Sequence, residues 1–74
     1  MELKLKLFAT LRTDRFKERI LEVKEETTPF ELLQQFGIDK QEVTILLING
    51  RDGLFDQELH AGDTVSVFPP VGGG

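Results

Sequence analysis

The sequence predicts an α+β domain, a mixed sheet of four or five strands with one short helix packed across it. Three observations carry that expectation. The chain opens on a strict alternation, Leu3, Leu5 and Leu7 between Glu2, Lys4 and Lys6, which is the period-2 signature of a sheet with one buried face. A single strong helix start stands in the middle, at Thr28-Pro29-Phe30-Glu31, and strand-like apolar runs resume after it at 43–48 and 64–68. An order of β, β, α, β, β closes most simply as two layers around one core.

The first strand spans Met1 to Leu7. A polar and charged connection, Thr10 to Glu18, leads to a second strand at Arg19 to Val23, with Leu21 and Val23 opposite Ile20 and Glu22, and the two strands are expected to form a hairpin. Thr28 is placed as N-cap, Pro29 at the first helical position and Glu31 to complete a capping box, so a helix is expected from Pro29 to Phe36. Phe30, Leu33 and Phe36, with Leu32 beside them, are expected to lie on the sheet, leaving Glu31, Gln34 and Gln35 in water. Gly37 supplies the stop. Val43 to Ile48 is a nearly continuous apolar run that reads as a strand covered on both faces, closed by the Asn49-Gly50 turn. Asp52-Gly53 and Gly62-Asp63 mark two more turns, and Leu54, Phe55 and Leu59 between them are expected to cap the core. The last strand, Thr64 to Phe68, puts Val65 and Val67 on one face and Thr64, Ser66 and Phe68 on the other. First and last strands are expected to pair in parallel at the centre of the sheet, giving a domain over 1–68 and a flexible tail over 69–74.

With 74 residues the chain is one domain with a small core, able to bury only about 60% of the surface its unfolded form exposes. That leaves no room for an enzyme cleft. A net charge of −4 and the lack of a Lys/Arg cluster argue against nucleic acid, which needs a concentrated basic surface, and favour a basic groove on a partner protein. The longest apolar run, Ile45 to Ile48, is far short of the roughly 20 residues of a membrane span, so no membrane partner and a cytoplasmic location are expected. Cysteine is absent, which excludes disulfides, thiolate nucleophiles and zinc ribbons; any sulfur handled here must sit on a carboxyl group.

The tail carries the chemistry. Pro69-Pro70-Val71-Gly72-Gly73-Gly74 follows the last strand without a linker, and its prolines favour an extended exit from the body. Glycine, lacking Cβ, passes through channels too narrow for other residues and lets a partner backbone approach closely. Terminal glycines are also common as frayed ends, but a strand feeding directly into a thin arm of roughly 20 Å reach suits a carboxylate that another protein must activate.

Beside the arm, alternation turns Phe68 to the face opposite the helix. Phe8 continues the first strand out of phase with Leu3, Leu5 and Leu7, so parallel pairing brings it to the same edge, with Leu46 or Ile48 completing a docking patch. Phe55 is a weaker contact candidate. His60, the single histidine, has only Asp56 and Glu58 near it in sequence and is expected in a solvent-facing turn; no metal-ligand spacing exists. Glu22, Glu25 and Glu26 read as a solvated face, and Arg12, Arg15, Arg19 and Arg51 as surface charges of small individual worth.

The β, β, α, β, β order, Leu47-Ile48-Asn49-Gly50, Gly62-Asp63-Thr64-Val65 before the last strand, and the ending Phe68-Pro69-Pro70-Val71-Gly72-Gly73-Gly74 together resemble the MoaD/ThiS family of ubiquitin-like sulfur carriers. The ending is closer to the molybdopterin synthase small subunit than to the thiamine carrier, whereas the short helix and first loop are closer in length to the latter. The resemblance implies a ubiquitin-like β-grasp fold and a non-enzymatic carrier with no bound cofactor. It also implies that an E1-like adenylating enzyme uses ATP to activate the Gly74 carboxylate, with Gly73 beside it. A sulfur donor such as a cysteine desulfurase or rhodanese-like protein then supplies the thiocarboxylate sulfur. The large molybdopterin synthase subunit receives Pro69, Pro70, Val71 and Gly72 as the inserting arm. Two other fates stay open within the same fold: a ubiquitin-like modifier joined to lysines, as in some archaeal members, and a thiamine-pathway carrier. A passive interaction module is the remaining alternative.

Overall fold

The computed structural model describes residues 1–70. Its strands are β1 (Glu2–Leu7), β2 (Glu18–Glu22), β3 (Ile45–Ile48), β4 (Arg51–Asp52) and β5 (Thr64–Phe68), and its helix is α1 (Pro29–Gln34). The sheet runs β2-β1-β5-β3-β4, with β1 and β5 parallel at its centre and every other pair antiparallel. Both central pairings follow from the alternation in β1. Leu5 lies opposite Val65 and Leu7 opposite Val67 in the parallel pair, so the leucine face of β1 and the valine face of β5 form one apolar floor. Leu3, Leu5, Leu7, Val65 and Val67 are sealed from solvent, as are Leu32 and Leu33 of the helix above them.

The helix forms where its capping chemistry stands. Thr28 Oγ1 accepts from the Glu31 N–H at 3.3 Å while Glu31 Oε1 accepts from the Thr28 N–H at 3.3 Å, the reciprocal capping box, and Pro29 fills the first helical position. At the other end the Gly37 N–H donates to Gln34 O and the Ile38 N–H to Leu33 O, both at 3.1 Å, a Schellman ending that needs the +69° φ only glycine adopts freely. Gly37 thereby drops Ile38 into the core.

Four expectations are corrected. Phe30 is exposed, because the inward stripe of the helix is Pro29, Leu32, Leu33 and Phe36; positions i, i+3, i+4 and i+7 share a face, whereas Phe30 lies about 100° around from Pro29. β3 is not covered on both faces: Leu46 and Ile48 point to the helix side, and Ile45 stands in solvent. Leu54 is likewise exposed, leaving Leu59 and the half-buried Phe55 to close the core. The connection after β1 contains a 3₁₀ turn, Ala9–Arg12, whose Leu11 is buried. In that loop Arg15 reaches across the molecule, its Nε donating to Phe36 O at 3.1 Å and its Nη1 to Leu11 O at 3.1 Å, which ties the first loop to the end of α1.

Asn49 and Gly50 form a two-residue hairpin between β3 and β4, with Ile48 opposite Arg51 and φ of +54° and +81° at the two turn positions. These are the angles a type I′ turn requires. The Asn49 side chain adds a brace to the neighbouring strand, since its Oδ1 accepts from the Thr64 N–H and its Nδ2 donates to Asp63 Oδ1, both at 2.9 Å. No helix among the described residues is long and apolar enough to cross a membrane.

Candidate docking face and the exit of the C-terminal arm

β5 is the central strand that hands the chain to its terminus. Its last residues are held from both sides: the Phe8 N–H donates to Val67 O at 3.2 Å and the Thr44 N–H to Phe68 O at 2.8 Å. Beyond Phe68 the ladder stops because Pro69 and Pro70 have no N–H to donate. The arm therefore leaves from the middle of the sheet, at an end where both neighbours are ordered structure. Pro69 is half-buried and Pro70 exposed; Val71, Gly72, Gly73 and Gly74 lie outside the described residues.

Phe8 and Phe68 meet as expected. Leu7 opposite Val67 sets the register, and the next residue of each strand turns outward, so the two rings stack with centroids 4.2 Å apart and planes 14° from parallel. Ala9 then takes a φ of +52°, bending the chain into the 3₁₀ turn so that Arg12 folds back. Arg12 Nε donates to Leu7 O at 2.6 Å, and its Cζ lies 5.2 Å from the centre of the Phe8 ring, within cation–π range. Phe8 is thus fixed by a stacked ring and a guanidinium.

The other half of the expected patch is different. Leu46 and Ile48 are 6% and 8% exposed and pack under the helix, so neither reaches the docking face. The antiparallel register places Ile45 opposite Phe68 and Leu47 opposite Ser66, and Ile45 is 46% exposed. The physical reason is parity, since Leu46 pairs with inward-facing Val67 and must share its side. Phe8, Thr10, Thr44, Ile45, Phe68 and Pro70 line one shallow apolar groove at the root of the arm. Ile45 was missed because residues 45–48 are all apolar and carry no alternation; the register from Phe68 is the signal that finds it.

Elsewhere the molecule offers little to chemistry. Thr27 is the single buried polar residue among the described ones, and its Oγ1 donates to Lys24 O at 2.7 Å. The His60 side chain is exposed, 4.0 Å from Asp63. No three His, Cys, Asp or Glu side chains converge among the described residues as a metal site requires. Among the described residues, the arrangement offers a candidate docking surface at the root of the arm.

A family profile described as "ThiS family" matches residues 5–74, nearly the whole chain and its terminal glycine included. The chain belongs to the ThiS family. This is the MoaD/ThiS group of ubiquitin-like sulfur carriers, and its small carrier members share the β-grasp fold seen here. Among solved structures, a Pyrococcus furiosus protein described as a candidate molybdopterin converting factor, subunit 1, is 31% identical, with a TM-score of 0.74 over 96% of this chain and 99% of that one. The small archaeal modifier protein SAMP1 from Haloferax volcanii superposes with a TM-score of 0.80 over 100% of both chains, at 23% identity, a likeness of fold. So does subunit 1 or 2 in a complex of the two molybdopterin-converting factor subunits from Helicobacter pylori, with a TM-score of 0.67 at 19% identity over 100% of both chains. No curated protein is matched by the sequence.

Proposed function

We propose that this ThiS-family chain is a sulfur carrier for molybdopterin synthesis, with the Gly74 carboxylate as its reacting group. The observation that supports this most is the exit of the arm from a central strand beside the stacked Phe8–Phe68 pair, which gives a partner a rigid place to grip. The family match through residue 74 and the 31% identity to the Pyrococcus furiosus protein add to it.

A carboxylate is a poor electrophile until one oxygen becomes a good leaving group. In the proposed sequence a Gly74 carboxylate oxygen attacks the α-phosphorus of ATP on an E1-like enzyme and pyrophosphate leaves. The outer sulfur of a persulfide donor then displaces AMP to give an acyl disulfide, and a second thiol of the donor cleaves its S–S bond, becoming a disulfide with the donor's sulfur and supplying the two electrons that free the thiocarboxylate. The resulting thiocarboxylate is an anionic sulfur nucleophile, and docking of the body beside the large synthase subunit's site turns a dilute encounter into an oriented one. All acid–base groups belong to the partners, and this chain contributes the end, the reach and the grip.

Mass spectrometry of the C-terminal peptide from protein recovered from its native host tests the proposal. Fragment ions should place sulfur on Gly74, which separates it from Met1 oxidation of nearly equal mass. Gly74 joined to lysine side chains would replace the carrier reading with protein modification, the reading that the fold likeness to SAMP1 favours. A bare carboxylate in cells with an active pathway would overturn both in favour of a passive module.

A further inference from the structure

β2 is an open edge of the sheet, with β1 on one side of it and solvent on the other. Its odd-numbered residues turn their backbone groups to β1. The Leu7 N–H donates to Lys17 O at 2.9 Å and the Val23 N–H to Met1 O at 2.8 Å, and between these bonds Arg19 and Leu21 lie opposite Leu5 and Leu3. Backbone direction alternates along a strand, so the N–H and C=O groups of Glu18, Ile20 and Glu22 point away from the sheet. No turn or loop of the described residues bonds to them. Ile20 on that edge is 59% exposed, and Leu21 is half-buried at the rim of the core. Unpaired backbone groups beside an exposed aliphatic side chain form a template for another strand.

We propose that β2 is a self-association edge, through which two copies of this chain pair antiparallel about a two-fold axis with Leu21 opposite Leu21 of the second copy. Charge selects this register. A two-fold antiparallel seam forms hydrogen bonds only where outward-pointing residues face one another, so even positions must oppose even positions. Five registers centred on a residue of β2 meet that condition. Centring on Glu18, Arg19 or Glu22 sets that charge against its own copy, and centring on Ile20 sets Glu18 against Glu22 twice, all of them destabilising. Centring on Leu21 places no like charges opposite each other. Ile20 then opposes Glu22 of the second copy, Arg19 opposes Val23 and Glu18 opposes Lys24, each twice by symmetry. At the axis Leu21 and its copy form a non-hydrogen-bonded pair, the kind in which side chains approach most closely, and the two Ile20 side chains sit diagonally across the other face. The seam therefore has an apolar centre and oppositely charged ends. Because β1 lies between β2 and β5, Phe68 and the arm stay outside it, and the inference does not depend on the carrier reading.

Sedimentation equilibrium of the full chain tests the proposal. A seam of one short strand belongs with weak, transient interfaces, so a dimer with a dissociation constant of about 0.1–1 mM is expected. Ile20→Pro removes an outward N–H that β1 does not use and should weaken the dimer at least about tenfold. Glu18→Lys or Lys24→Glu alone puts like charges at both ends of the seam and should weaken it about threefold to tenfold, whereas Glu18→Lys/Lys24→Glu should return it to within about twofold of the parent. Phe68→Ala should leave the dimer unchanged. Circular dichroism and melting check that each variant is folded, and should Ile20→Pro fail to fold, the charge swap decides. A parent chain that stays monomeric well above that constant overturns the inference. So do single charge variants that dimerise like the parent, a swap that fails to restore the dimer, or a dimer lost with Phe68→Ala.

Discussion

At the residue scale, neighbours in the chain have opposite duties. Ile45 and Leu46 are adjacent, similar in size and equally apolar, yet one faces solvent beside Phe68 and the other packs beneath α1. Leu46→Ala should therefore lower the free energy of unfolding by about 2–5 kcal/mol, whereas Ile45→Ala should cost less than about 1 kcal/mol. In a binding titration with the adenylating enzyme the order should invert, with Ile45→Ala the more damaging; equal losses of stability in urea melts would show that the outward side of β3 is packed after all. Gly53 offers a second contrast. A Cβ there would meet Ile48 Cδ1 at 2.6 Å and Cγ1 at 2.8 Å, so Gly53→Ala should destabilise by about 1–3 kcal/mol through crowding of the core. An unchanged melting temperature would mean that Ile48 turns aside freely. Gly50→Ala has open space around it and suffers instead from its +81° φ.

At the scale of elements, α1 depends on its ends because it is short. Six residues leave few internal bonds to outweigh the cost of nucleation, so the capping box and the Schellman ending hold a disproportionate share of its backbone groups. Thr28→Ala removes one half of the box, and chemical denaturation should register a loss of about 1 kcal/mol with an unchanged m-value. Retention of full stability would mean that Pro29 and the sheet contacts of Leu32 and Leu33 suffice to start the helix. β5 shows the complementary device, since paired prolines, with no N–H to donate, end a central strand at Phe68.

At the scale of the whole molecule, the proposed function assigns stability and reactivity to different residues. Among the described residues, the buried apolar core of β1, β5 and α1 draws on residues from Leu3 to Val67. Deleting Gly73 and Gly74 should therefore leave the melting temperature unchanged while abolishing pyrophosphate exchange and any later transfer. A marked fall in melting temperature would assign those glycines a structural role, and surviving exchange would move the reacting group elsewhere. On the proposed reading, the same division lets a chain of 74 residues with one small core serve group transfer as a handle and an end, with catalysis left to larger partners.

Alternation in β1, the capping box at Thr28, the Asn49-Gly50 turn and the proline pair are local signals, and each determined its element, the parallel pairing of first and last strands and the adjacency of Phe8 and Phe68 from the sequence by itself. The glycine ending also pointed to Gly74 as the proposed reacting group and, through the resemblance it carries, named the family that the profile over residues 5–74 shows. What tertiary structure alone decided is orientation. Residues 45–48 are apolar throughout, so only their register against β5 shows that Ile45 joins Phe68 on the outward face and that Leu46 and Ile48 do not. Phe30 and Leu54 look like core by composition and lie in solvent because the helix stripe and the loop path exclude them. The cations around Phe8 are scattered at positions 6, 12 and 17, and the β1–β2 hairpin with the intervening 3₁₀ turn gathers them into one patch. Period and turn chemistry are properties of a few successive residues, whereas which of two apolar faces is buried, and which charges become neighbours, depends on contacts between segments far apart in the chain.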